Sequence, residues 1–274
     1  MSSIEEIFDI NRVLQHSFKQ VEFLSKVNNV TLIFEMEKTL PRELKGDIDA
    51  FRELLTRVFS FIFKHTQNDE ILLSISAPDD FFYEEIVSFK IVKLGIDKKK
   101  ILTFFETKLE GSLKKLSGEV VYEENDIHLN IPFIIGELGV KGDYVLPSKS
   151  MLDKKVLFIS KSDYIVKGIG DMFKYFSYTI DTGIIAYKKN RLDLTQYDLV
   201  LIEEDLITKS FIALVQATQK TQNLNLVGLT QGNIHVNEMN TIVSDTLLMP
   251  ATQESVLELI VSIFGNNTIP KENN

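Results

Sequence analysis

The chain has 274 residues, enough for about two domains at roughly 100–200 residues each. Its 44% hydrophobic and 25% charged residues match a folded globular chain and exclude a wholly disordered one. With 30 basic and 39 acidic side chains the net charge is -9, against a fold-wide basic footprint for nucleic acid, and Cys is 0, which excludes disulfides, thiolate catalysis and Cys-ligated zinc or iron–sulfur sites.

The opening MSSIEEIFDI is acidic and has no basic region leading into an apolar one, so no signal peptide is expected. No apolar run approaches the ~18–20 residues that cross a bilayer, and the chain reads as cytoplasmic. Residues 7–27 place Ile7, Ile10, Leu14, Phe18, Val21 and Leu24 at helical spacing, which predicts one helix. VTLIFEME, Val30 to Glu37, predicts a strand. Residues 44–65 predict a second helix with Phe51, Leu54, Leu55, Val58, Phe59 and Ile62 on its apolar stripe. Strands are expected at Ile71 to Ser76, Glu85 to Val92, Gly118 to Glu123 and Asp126 to Ile135, with a helix from about Lys98 to Leu116. Asp97 ahead of Lys98, Lys99 and Lys100 reads as a capped helix start rather than a basic patch.

GELGVKGDYVLPSKSMLDK, residues 136–154, has no sustained periodicity and reads as a connection. After it, KVLFIS is a short apolar run suited to a strand buried on both faces. A helix at about Asp163 to Phe176 follows. Strands are then expected at SYTID, at Tyr197 to Glu203, at Leu224 to Thr230 and at Ser244 to Pro250, with helices near 206–219 and 253–264. Alternating strands and helices predict a doubly wound sheet of five parallel strands, with functional residues at the carboxyl ends of the strands.

Residues 154–265 resemble a response-regulator receiver domain, through KKVLFISKSD, YDLVLIEEDL, LVGLT and DTLLMP in order. The resemblance implies two Mg²⁺-binding carboxylates, a phosphorylated Asp, a hydroxyl and a Lys. The acidic pair aligns with Ser160 and Lys161, the acceptor with Glu203, the hydroxyl with Thr230 and the Lys with Met249; Thr246 falls at the switch-aromatic position. Two readings of Glu203 stand: a fixed mimic of phosphoaspartate, with Lys161 as the one nearby partner, or a solvated acid at a dead site.

Residues 7–135 resemble the ATP-binding domain of histidine kinases, through IFDINRVLQHSFKQVEFLSKVNNVTLIFEM, LPRELKGDIDAFRELLTRVFSFIFKHT and KLSGEVVYEENDIHLNIPF. There the Mg²⁺-binding Asn aligns with Phe61 and the adenine-reading Asp with Lys93; the first glycine is present as Gly95 and the second aligns with Asp97. The flexible lid reads as deleted, and Phe61 with Phe105 is expected to fill the former pocket with hydrocarbon. His16, His65, His128 and His235 include no i,i+4 metal-ligand pair, and His16 reads as a surface residue of the first helix.

The expectation is therefore two domains: residues 1–136, an α+β sandwich like a histidine kinase ATP-binding domain, and residues 154–267, an α/β doubly wound (flavodoxin-like) receiver fold. A linker at 137–153 joins them, and 268–274 form a tail. The implied function is that of a catalytically inactive two-component protein, as in bacterial hybrid kinases, with no cofactor and no metal. Its implied partners are proteins: a histidine kinase, a response regulator or a second copy in a homodimer, with no nucleic acid and no membrane segment. The alternative is a divergent or partial hybrid histidine kinase taking part in phosphorelay, with His16 the candidate if the chain relays phosphate itself.

Overall fold

The computed structural model describes residues 5–79, 82–92, 95–123, 126–136, 143–232 and 242–265. The chain divides into two compact units, Met1–Tyr144 and Val145–Asn274.

The first unit runs β1 (Glu6–Asp9), α1 (Ile10–Lys19), α2 (Glu22–Asn28), β2 (Val30–Met36), β3 (Glu43–Gly46), α3 (Ile48–His65), β4 (Asp69–Ser76) and β5 (Glu84–Val92). It continues through α4 (Lys98–Phe104), a single π turn (Phe105–Leu109), α5 (Glu110–Lys115), β6 (Glu119–Glu123) and β7 (Asp126–Ile135). Seven strands form one mixed sheet in the order β1-β3-β7-β5-β4-β2, with β6 also paired to β7. Along β7 burial alternates residue by residue, Ile127, Leu129, Ile131, Phe133 and Ile135 being buried, as expected for a strand covered on one face. That covered face meets α3. Phe51 of α3 lies with its ring centroid 5.0 Å from Phe133, 5.3 Å from Phe89 and 5.9 Å from Phe8.

Asp47 starts α3 by accepting a hydrogen bond from the Ala50 amide (2.9 Å), a side-chain cap on an otherwise orphaned donor. The single helix expected over 7–27 is instead β1 followed by two helices. Asp9 makes the break: its carboxylate caps α1 at the Asn11 amide (2.8 Å) and pairs with Arg42 (2.8 Å). The buried Asn11 amide also donates to the Tyr144 hydroxyl, and Arg42 lies over the Tyr144 ring at 5.3 Å.

The second unit runs β8 (Lys155–Ile159), α6 (Asp163–Lys174), β9 (Thr179–Thr182), α7 (Ile184–Lys188), β10 (Leu199–Glu203), a 3₁₀ turn (Glu204–Leu206), α8 (Lys209–Gln219), β11 (Asn225–Thr230), β12 (Asp245–Leu248) and α9 (Gln253–Gly265). Its five strands are all parallel, in the order β12-β11-β10-β8-β9. Counted within the unit, that is 2-1-3-4-5, the flavodoxin-like order, whose direction reverses between β8 and β10. Central strands β8, β10 and β11 are buried runs, which is why they read as continuous apolar words. Residues 206–208, expected in a helix, precede α8; Thr208 caps that helix at the Phe211 amide (3.2 Å).

Candidate functional site

The carboxyl edge of the parallel sheet gathers the residues expected there. Register places Glu203 opposite Leu229, Ile202 opposite Ile159 and Thr230 opposite Leu248, so Ser160, Glu203, Thr230 and Met249 end four neighbouring strands. The Met249 amide donates to the Thr230 carbonyl at 2.8 Å. This is the topological reversal, where open α/β sheets place their ligands.

The chemistry at that edge is of a particular kind. Ser160 is buried, and its hydroxyl accepts from the Ser162 amide (2.9 Å) while donating to the Ser162 carbonyl (3.2 Å), closing the turn into α6. Asp163 is the first residue of α6, after the Ser162 cap on the Ile165 amide (3.1 Å). A Glu203 carboxylate oxygen accepts from the Lys161 backbone amide at 2.5 Å. The Lys161 ammonium turns to Asp205 at 2.5 Å. The pairing of Lys161 with Glu203 that the sequence suggested is thus corrected: Asp205, two residues on, takes the cation, and Glu203 takes the peptide N–H. Thr230 is buried, its hydroxyl oxygen accepting from the Gly232 amide (3.1 Å), and no hydrogen bond joins it to Glu203. Met249 is buried and Thr246 is exposed. Behind the 3₁₀ turn the Tyr187 hydroxyl donates to the Leu206 carbonyl.

The hydrogen bond and charge of Asp205, with help from Glu203, raise the Lys161 ammonium above the ordinary lysine value, against a smaller opposing effect of burial. A raised lysine contributes stability fully below the unfolded value and loses it as pH climbs through the folded one, so the lysine's contribution is present at neutral pH and is lost in strong alkali. Both side chains are more than half exposed. Asp205→Ala is therefore expected to change stability by less than about 1 kcal/mol in urea unfolding at pH 7.

In the first unit, Phe61 and Phe104 stack nearly parallel, with centroids 4.1 Å apart at 6°. The His65 ring lies 4.7 Å from that of Phe61, tilted by 60°. Phe105, the residue expected to fill this place with Phe61, is buried beside Phe104 at 6.0 Å. The π turn starts at Phe105 and carries it into the core, while Phe104 stays half-buried against α3. Glu53 and Arg57 of α3 hold that turn: Arg57 donates to the Lys108 carbonyl (2.5 Å) and pairs with Glu53. Asp97 caps α4 at the Lys100 amide (3.2 Å). Gly95 is exposed, and a Cβ there would touch nothing within 4 Å. Lys93 and His235 lie outside the described residues. His16 and His65 are exposed, and His128 is half-buried on β7. Among the described residues no cluster of three His, Asp or Glu could hold a metal ion, and no helix is long and apolar enough to cross a membrane.

Asp205 and Phe104 are the contributing residues that sequence reasoning did not assign. Asp205 left a signal in the adjacent acids of EED, and Phe104 in the doublet with Phe105.

No family model matches the chain, and no curated protein does. Among solved structures, full-length ShkA in complex with AMPPNP matches 99% of this chain with a TM-score of 0.65 and 14% identity. What the two share is the fold. The match covers 59% of ShkA, so this chain spans less than two thirds of that protein's length. The histidine kinase AdeS of Acinetobacter baumannii aligns with 50% of this chain and 70% of its own (12% identity, TM-score 0.39). The catalytic domain of histidine kinase ThkA aligns with 48% of this chain and 96% of its own (14% identity, TM-score 0.38). Scores at that level establish no common fold by themselves.

Proposed function

We propose that the chain is a two-component signalling protein that works by binding other proteins, without nucleotide or phosphoryl chemistry of its own. In this reading residues 1–136 are a histidine kinase ATP-binding fold and 154–267 a receiver fold, joined by 137–153 and followed by a short tail. Its partners are a histidine kinase, a response regulator or a second copy.

The observation that carries the reading is the charge arrangement at the carboxyl edge of the parallel sheet. The Lys161 ammonium, paired with Asp205, stands beside Glu203, where a receiver needs acidic metal ligands. Like charges 4 Å apart repel by about 1 kcal/mol in water and about 4 kcal/mol near a protein surface, and a divalent ion doubles that. Met249 supplies no cation for a phosphoryl group, and Glu203 is already satisfied by a backbone amide. These residues do not fit Mg²⁺. The Phe61–Phe104 stack supports the same reading for the first unit, because it offers hydrocarbon where ATP needs a metal ligand. Glu203 in turn is better read as a solvated acid than as a phosphoaspartate mimic, since neither the Lys161 ammonium, which bonds to Asp205, nor the Thr230 hydroxyl hydrogen-bonds to it.

Incubation of the full chain with acetyl phosphate and Mg²⁺, followed by intact-mass measurement, is expected to show no gain of a phosphoryl group; a gain on Glu203, Glu204 or Asp205 would overturn the proposal. A second reading, part of a larger phosphorelay kinase, is favoured by the whole-chain likeness to a protein of greater length. Incorporation of label from γ-labelled ATP into this chain would select it.

A further inference from the structure

The mixed sheet has two faces, and only one is used by Phe8, Phe89 and Phe133 to pack on α3. Strand alternation sends Ile7, Ile86, Pro132 and Ile134 to the other. Register sets them in two adjacent rows: Ile7 opposite Lys45, Lys45 opposite Ile134 and Ile134 opposite Glu84 in one, and Pro132 opposite Ile86 in the next. Ile7 is 56% exposed and Ile86 52%, with Phe82 (66%) and Tyr83 (55%) just ahead of β5. Ile7, Phe82 and Ile86 together on one side of the sheet are unlike the scattered singles of an ordinary surface.

The rim is acidic. Glu43 and Glu84, on that side by the same alternation, are exposed, with no basic partner within ion-pair distance among the described residues. The one lysine in those rows, Lys45, is taken by Glu5 at 3.5 Å. β7 is paired on one side to β5 and on the other to β3 and β6, and β5 is itself paired to β4 as well, so a partner over Ile86, Pro132 and Ile134 cannot join as an added strand; of the strands carrying these rows, only the four-residue β1, at the end of the sheet, has a free side. It has to bring a side-chain surface, and an apolar stripe on a helix is the element that packs on a sheet face.

We infer that this outer face docks an amphipathic helix of another protein, one whose apolar stripe is flanked by Lys or Arg. Charge selects that occupant. Two copies of this chain meeting through the same face would set acidic rim against acidic rim, and an anionic lipid surface meets the same repulsion. The inference concerns a surface away from both candidate sites, so it stands or falls separately from the proposed loss of catalysis.

The test uses the full chain and two labelled synthetic helices, one a leucine–lysine amphipathic peptide and the other its leucine–glutamate counterpart, with binding read by fluorescence anisotropy. The lysine peptide is expected to bind saturably and at least about tenfold more tightly than the glutamate peptide. Ile86→Ser and Glu84→Lys are each expected to weaken it about tenfold while leaving the thermal unfolding midpoint in place, because both residues are exposed. No binding, equal binding of the two peptides, or binding indifferent to both substitutions would overturn the inference. So would self-association of the unsubstituted chain that Ile86→Ser abolishes, since the occupant would then be a second copy.

Discussion

Replacing Phe51 by Ala is expected to remove about 3–5 kcal/mol from the stability of the first unit. Phe51 is fully buried and is the point at which α3 meets three strands, with Phe8 of β1, Phe89 of β5 and Phe133 of β7 all within 6 Å of its ring. Alanine leaves a void walled by three aromatic rings, which do not collapse into it cheaply, and it forfeits ring contacts worth about 0.5–1.5 kcal/mol each beyond burial. Amide exchange along β5 and β7, followed with urea unfolding, reads the effect in the first unit directly. A loss below about 1 kcal/mol would contradict this packing.

The second large effect belongs to the aromatic stack. Phe61→Ala is expected to cost about 3 kcal/mol, since Phe61 is nearly buried, and Phe104→Ala less, since Phe104 is half-exposed. The double substitution should cost less than the sum by about 0.5–1.5 kcal/mol, the coupling expected of two rings in contact. Additive losses would mean that the rings do not pack together. The functional counterpart is sharper. Phe61→Asn restores the side chain that the histidine kinase resemblance implies, yet Mg-ATP is expected to leave the thermal midpoint of that variant unmoved. One Asn supplies one contact, while Asp97 remains committed to capping α4 and residues 98–115 remain helical where a phosphate-binding loop would be needed. A midpoint raised by Mg-ATP in the variant would show that a single side chain had closed a working pocket.

Parts of this fold were readable because burial on both faces writes itself plainly into the chain. VLFI, LVLI and LVGL can be little else than the inner strands of a parallel sheet, and the stripe from Phe51 to Ile62 is helical by period alone. β1, β3 and α7 escaped because each has only four or five residues; β3 buries only Leu44 and α7 buries no residue. β1 was absorbed into a helical pattern, since Ile7 and Ile10 fit helical spacing even though Ile7 faces away from the core. The edge that collects Ser160, Glu203, Thr230 and Met249 followed from strand order, because parallel strands all end on one side. Side-chain direction did not follow. Whether the Lys161 ammonium reaches Glu203 or Asp205 depends on a 3₁₀ turn after β10, and whether Phe104 or Phe105 meets Phe61 depends on one π turn. Neither turn has a compositional signature.

Calorimetric titration of the full chain with Mg-ATP tests the proposed absence of nucleotide recognition most directly. The account predicts no saturable heat up to about millimolar nucleotide, the range in which only about 4 kcal/mol of binding free energy is at stake. Saturable binding at about 10 micromolar or tighter, weakened when Phe61 or Phe104 is changed, would contradict it.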